Sequence, residues 1–326
     1  MPAIVDSHHP SRVVCRTMRY QVVTRMYEEF FGFKEKPFSL LPDPGFLYMS
    51  DKHRLALTNL EYGLANLAGF TVITGEIGSG KTTLIRKLLL RNDPNVTVGL
   101  VTNTQCSGAE ELLRWIAFAF GLNYAGKSHV ELYQVFMEFL VAEYGAGRRV
   151  VVVIDEAQQL GPQLLEQVRL LSNINAYKHQ VVQFILVGQP NLRDHLSRPE
   201  LHQFAQRIAV DYHLQALDPR ETQAYIGHRL LLVGGDADLF APEAVLLVWR
   251  HSRGIPRLIN ILCDTALVYA FSEQTRRIEA PIMKEVLRDK RTGLAPVQGA
   301  APAAVRQRAS DGPTPHSSIE NLYGTK

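Results

Sequence analysis

The run Gly75-Glu76-Ile77-Gly78-Ser79-Gly80-Lys81-Thr82 satisfies the pattern GxxxxGK[ST] in full. The apolar run Phe70 to Thr74 before it reads as a strand, and Lys81 to Leu90 after it reads as a helix. That strand, turn and helix are the context a phosphate-cradling loop requires. Glycines let backbone N–H groups turn inward on the phosphates, and the helix N-terminus adds positive partial charge. Lys81 is expected to reach the β- and γ-phosphates, and the Thr82 hydroxyl to bind Mg²⁺. Gly75, Glu76, Ile77, Gly78, Ser79, Gly80, Lys81, Thr82 and Thr83 are therefore the expected contacts of a bound ATP.

A second constellation lies downstream. The all-apolar run Val150 to Ile154 ends in Asp155 and Glu156. Strand ends in open α/β sheets face the ligand crevice. Asp155 is expected in the Mg²⁺ shell, and Glu156 is expected to orient and deprotonate the attacking water. One complete strand, Val96 to Val101, separates the two motifs along the chain. That spacing, with a glutamate directly after the aspartate, points to the P-loop branch with an inserted strand: AAA+ machines, RecA-like motors and helicases. It argues against adenylate-kinase and GTPase-like folds.

The next apolar run, Val181 to Val187, leads to Gly188-Gln189-Pro190, where an amide can touch a γ-phosphate or attacking water. Gly254-Ile255-Pro256-Arg257 opens a predicted helix, and Arg257 there is within reach of the nucleotide. Arg193, Arg198 and Arg207 follow the Gln189 strand. Each is a candidate arginine finger for a neighbour's site, Arg207 first and Arg198 next. Each also fits a surface or salt-bridge role.

Working outward, Met26 to Phe31 is aromatic and amphipathic, and prolines mark 36–45 as loop. Phe46 to Tyr48 reads as a brief extended piece. Residues 51–67 read as a helix through Leu55, Leu60, Leu64 and Leu67. Helices are also expected over 108–120, 129–144 and 162–173, and a last strand over Ile208 to Leu214. Apolar strands between helices indicate a parallel sheet covered on both faces. After Asp218, an N-cap followed by proline, the pattern is purely helical: 219–232, 241–250, 255–271 and 280–289. The expected fold is an α/β P-loop domain with a parallel αβα core and a small all-helical lid. Its expected parts are a flexible basic extension (1–25), the nucleotide-binding domain (26–216), the lid (217–290) and a disordered tail (291–326).

Composition excludes several alternatives. With 35 basic and 32 acidic side chains the net charge is +3, which by itself names no partner. Three separated cysteines with no CxxC suggest neither a disulfide framework nor a zinc site. No apolar run approaches membrane-helix length. The expected location is cytoplasmic, with peripheral attachment to an inner-membrane assembly through a partner.

Together these residues resemble an AAA+ ATPase of the ExeA, or general secretion pathway protein A, family, itself similar to AAA+ regulators of transposition. The carrying motifs are Met26 to Phe33 with Lys36-Pro37-Phe38, Pro42-Asp43-Pro44 with Phe46-Leu47-Tyr48, and Gly75 to Thr83. Asp155-Glu156-Ala157-Gln158, Gly188-Gln189-Pro190, Gln206-Arg207-Ile208 and Gly254 to Asp264 complete the set. The resemblance spans 26 to about 289. It implies Gln189 as sensor 1, Arg257 as sensor 2, and a ring or helical homo-oligomer with ATP at subunit boundaries. It also places Phe46 to Ser50 near the adenine. Two departures stand out. Longer members carry a membrane span and a peptidoglycan-binding region after the ATPase, where this chain has a polar tail. Members often show a second arginine two positions before the one matching Arg207, where this chain has Ala205.

The leading functional expectation is an ATP-hydrolysing oligomeric switch in a secretion or export assembly. The alternative is an ATP-dependent regulator of transposition target choice, with a transposase and double-stranded DNA as partners. Arg86, Lys87, Arg91, Arg148 and Arg149 are the basic residues to watch for it, with Arg306 and Arg308 in the tail. A third is a nucleotide-binding scaffold with little turnover. Glu156 argues against it, because a scaffold needs no carboxylate beside the metal site.

Overall fold

Five runs dominated by valine, isoleucine and leucine form one parallel sheet: β1 (Phe70–Gly75), β2 (Val96–Val101), β3 (Arg149–Ile154), β4 (Val182–Gly188) and β5 (Ile208–Leu214). The sheet order is β2-β3-β4-β1-β5. The strand of the phosphate loop and the strand of Asp155 are thus separated by β4, so the inserted strand inferred from motif spacing is present. β1 and β4 are buried along their whole length, which is why their sequences carry no polar alternation. The computed structural model describes residues 26–90, 93–102, 104–176 and 179–292. The extension 1–25, the tail from 293 and Arg91 lie outside the described residues.

One face of the sheet is covered by α2 (Asp51–Ala65) and α3 (Lys81–Leu89), through Ala56, Leu60, Leu84 and Ile85 packed on Ile73, Val153 and Ile185. The other face carries α4 (Ala109–Ala119), α5 (His129–Gly145) and α6 (Pro162–Leu171), with Leu112, Ile116, Phe136 and Val168 over Val152 and Phe184. Two short helices, α7 (Asn191–Leu196) and α8 (His202–Ala205), and a two-residue hairpin (Asn175–Ala176 with His179–Gln180) complete this domain. None of the three is in the sequence reading.

The helical domain contains α9 (Pro219–Leu232), α10 (Pro242–Ser252), α11 (Pro256–Ser272) and α12 (Ala280–Thr292). Asp218 caps α9 as expected, in a capping box with Glu221. Glu221 also takes Lys52 of α2 at 2.7 Å, tying the two domains at this corner.

Three details differ from expectation. Residues 26–38 read as the start of the nucleotide-binding domain, but Tyr27 of the N-terminal helix α1 (Met26–Phe31), Phe33 and Phe38 pack into the core of the helical domain with Leu230, Val248 and Ile259. The segment from 26 to 48 is a strap that starts on the lid and crosses back to α2. Of the extended piece expected over Phe46 to Tyr48, Phe46 instead ends a 3₁₀ turn (Pro44–Phe46) that Asp43 caps and Pro44 opens, while Leu47 is extended. Leu55 on α2 and Leu67 just beyond its end are exposed, and the buried face of α2 runs through His53, Ala56, Leu57 and Leu60.

Candidate functional site

The loop after β1 and Glu156 after β3 line a cavity of about 230 Å³. Its floor is the phosphate loop, its far walls are the strap from Ser39 to Tyr48 and the lid residues Tyr225, Arg229 and Asn260. Gly78 and Gly80 take positive φ values of +81° and +102°, which lets the loop wrap inward without Cβ atoms. Gly80 is the N-cap of α3 and offers no side chain to the first-turn amides, so these remain available to an anion.

Lys81 is buried. Its Nζ donates to the carbonyls of Gly75 at 2.7 Å and Glu76 at 2.9 Å. Burial pushes its ammonium pKa down, against the opposing pull of Glu156, Asp155 and Glu76. No ion pair has to be broken for this cation to serve a phosphate. The Thr82 hydroxyl donates to Asp155 Oδ2 at 2.7 Å. One hydroxyl and one carboxylate are a sparse donor set. That suits Mg²⁺, which keeps waters and phosphate oxygens in its shell, and does not suit a cation caged by protein. The donor set therefore fits Mg²⁺ carried on a nucleotide phosphate.

Glu156 sits in the left-handed region, φ +54°, directly after β3. Its Oε2 accepts from Gln158 Nε2 at 2.6 Å and Gln189 Nε2 at 3.2 Å. Gln158 Oε1 in turn accepts the Gln189 backbone N–H at 3.1 Å. Thr104, at the end of β2, donates to the Glu156 carbonyl at 3.1 Å. Thus two amides hold the Glu156 carboxylate, and Thr104 holds its main-chain carbonyl. The structure brings Gln189 to Glu156.

Arg257 opens α11 against the loop. Its N–H donates to Gly78 O at 3.2 Å, and a Cβ on Gly78 would lie 2.3 Å from the Arg257 Cβ. The guanidinium is exposed at the cavity wall. Gly254 makes this docking feasible: at φ +72° its carbonyl accepts Leu217 N–H at 2.9 Å, and a Cβ would meet Leu217 O at 1.8 Å.

Arg207 is not in this cavity. It immediately precedes β5, whose first residue pairs with Phe70 at the start of β1, so it stands at the opposite end of the sheet. It is exposed and donates to Ser172 Oγ at 3.1 Å and to Asn173. Arg193 pairs with Asp211, and Arg198 lies 3.8 Å from Glu200.

Sequence reasoning missed several residues here. Gln158 was visible only as part of a family motif. Asn260 was likewise visible only inside the Gly254 to Asp264 motif, and His53 and Arg229 gave no local signal. Arg229 donates to Pro37 O at 2.6 Å and Ser39 O at 3.1 Å, and its guanidinium lies 4.6 Å over the Phe46 ring. Asn260 also donates to Ser39 O, at 3.2 Å, while accepting from the Tyr225 hydroxyl at 2.7 Å.

This fold is that of the AAA+ P-loop NTPases, and residues 65–196 match the AAA domain family. Within that class, the chain is similar to General secretion pathway protein A of Aeromonas hydrophila. The two are 41% identical over 254 residues, 78% of this chain and 46% of that protein. A weaker likeness, 29% over 153 residues, links it to ATP-dependent target DNA activator B of Escherichia phage Mu, covering 46% of this chain and 44% of that one. The chain spans about half the length of these relatives. Among solved structures, the ORC2 protein of Aeropyrum pernix aligns with TM-score 0.59 at 17% identity, over 78% of this chain and 71% of that one. Cdc6p of Pyrobaculum aerophilum aligns at 0.59 and 15%, over 78% and 70%. Both share the fold.

Proposed function

We propose that this chain binds and hydrolyses ATP with Mg²⁺ and works as an oligomeric switch serving a secretion or export assembly. Glu156 carries the hydrolytic part: a carboxylate aimed beside the Thr82–Asp155 pair and held by two amides. Lys81 and the first-turn amides of α3 bind the phosphates. Thr82 and Asp155 hold Mg²⁺, which supplies neutralisation of phosphate charge when bound. Glu156 takes the proton of the attacking water at its carboxylate, and Gln189 orients that water. Arg257 senses the nucleotide from the lid, and Arg207 acts on the site of a neighbouring copy. The export role rests on the likeness to General secretion pathway protein A. No helix among the described residues is long and apolar enough to cross a membrane.

The likeness to the phage Mu activator supports a second reading, DNA-dependent regulation of transposition targets. Steady-state ATP hydrolysis, with and without duplex DNA at low and high salt, separates the two. Turnover that is indifferent to DNA and rises with protein concentration supports the switch. Stimulation by DNA that collapses with salt supports the second reading. Glu156→Gln is expected to lower turnover by about 10²–10⁴-fold while nucleotide still binds. Equal turnover in that variant would remove Glu156 as the base.

A further inference from the structure

His53 lies on the buried face of α2, 3% exposed, at a position where a leucine would be the ordinary choice. It reaches the phosphate loop from α2 and itself lines the cavity. Its Nε2 is 3.1 Å from the carbonyl oxygen of Ser79, and its Nδ1 is 2.8 Å from the hydroxyl of Ser50. A carbonyl oxygen can only accept, so Nε2 carries the proton and Nδ1 accepts from the Ser50 hydroxyl. Ser50 in turn accepts the His53 backbone N–H as the N-cap of α2. Burial pushes the imidazole pKa down, with Lys52 acting in the same direction and the Ser79 bond and Glu221 opposing. The neutral ring with its proton on Nε2 is thereby the resident form.

The bond falls at a sensitive place. The Ser79 carbonyl and the Gly80 N–H belong to one planar trans peptide and point in opposite directions. A donor that fixes the carbonyl on the His53 side fixes the N–H on the opposite side of the peptide. Gly80 holds φ +102°, and a Cβ there would sit 3.0 Å from His53 Nε2. The Ser79 side chain gives no help, because its hydroxyl is buried without a partner among the described residues. The loop is anchored at this peptide by His53.

We infer that His53 is a positioning residue for the phosphate loop, fixing the Ser79–Gly80 peptide so that the Gly80 N–H faces a bound β-phosphate. The hydrogen bond also polarises the peptide, which strengthens that N–H as a donor. This rests on the nucleotide reading of the cavity.

The test is titration of the full chain with ADP and AMP in the presence of Mg²⁺, for wild type, His53→Ala, His53→Gln and His53→Asn. A glutamine amide nitrogen takes the place of Nε2, while an asparagine amide takes that of Nδ1. Loss of one such hydrogen bond is expected to raise the ADP Kd about tenfold in the alanine variant and leave AMP, which lacks a β-phosphate, within about twofold. Glutamine should recover ADP binding and asparagine should not. If the alanine chain fails to fold, the glutamine–asparagine contrast carries the test alone. ADP binding that is unchanged in alanine and asparagine, or weakened equally for AMP, overturns the inference while leaving the nucleotide site in place. Failure of the wild-type chain to bind ADP overturns both.

Discussion

On the sheet side of the cavity, Glu156 is held by side chains: Gln158 and Gln189 donate to one of its oxygens, and Gln158 braces the Gln189 backbone. On the helical side, Arg229 is held by main chain: the carbonyls of Pro37 and Ser39 take its donors, and no carboxylate is bonded to it among the described residues. The first arrangement is built from residues adjacent to strand ends and can be tuned by one substitution. The second joins α9 to a strap nearly two hundred residues earlier in the chain. A charge that holds a distant loop and the carboxylate proposed as the base thus sit at opposite walls of one cavity. The difference separates the proposed chemistry from the joining of strap and helical domain.

The sharpest way to break this contrast is Arg229→Met. Two carbonyls would lose charge-assisted donors in a buried setting, and the stack on Phe46 would go. Stability is expected to fall by about 3 kcal/mol in denaturant unfolding, with the strap becoming a protease site. Lysine should not restore it, because one ammonium cannot span both carbonyls with the planar fork of arginine. A methionine variant as stable as wild type would mean that the cost of burying an unpaired guanidinium cancels its bonds. Arg229 would then be no anchor.

Gln158→Ala addresses the other wall. It removes one donor to Glu156 and the acceptor of Gln189 N–H together, without touching the phosphate loop. Turnover is expected to fall about tenfold with ADP affinity unchanged, the signature of a group that matters after binding. A rise in turnover would reverse the reading, making the amides a restraint that Glu156 must leave before it can act.

How much of this was legible in the sequence follows the same division. Gly75 to Thr82 and Asp155-Glu156 are contiguous, and their meaning is set by the strand before each, so both were readable. β4 between β1 and β3 followed from motif spacing. The roles of His53, Arg229 and Asn260 were not readable, because each depends on a partner brought by folding. Over 51–67 the eye follows the leucines and picks Leu55 and Leu67. The chain instead buries His53, which the Ser50 hydroxyl and Ser79 carbonyl make affordable by satisfying both ring nitrogens. Tyr27 and Phe38 were assigned to the neighbouring sheet domain, because sequence order cannot show that a strap crosses to the lid core.

Charge held away from the cavity makes the last and smallest test. Glu143, near the end of α5, accepts from Arg148 Nε at 2.8 Å and from the Thr97 hydroxyl, tying α5 to β2 and β3. The Arg148 bonds, aided by Thr97, hold its carboxyl down at about 2, outweighing the desolvation that would raise it. A depressed folded-state pKa stabilises above the unfolded value and loses that contribution as pH falls through the folded one. The window therefore runs from about 4.5 down to about 2. Because Arg148 is substantially exposed, the contribution is expected to be small, well below that of Arg229. Glu143→Gln should slightly flatten the acid limb of stability over that window, while Arg229→Met shifts the whole curve without changing its slope there. Equal slopes in wild type and Glu143→Gln would show that the pair is a surface contact with no share in holding α5 to the sheet.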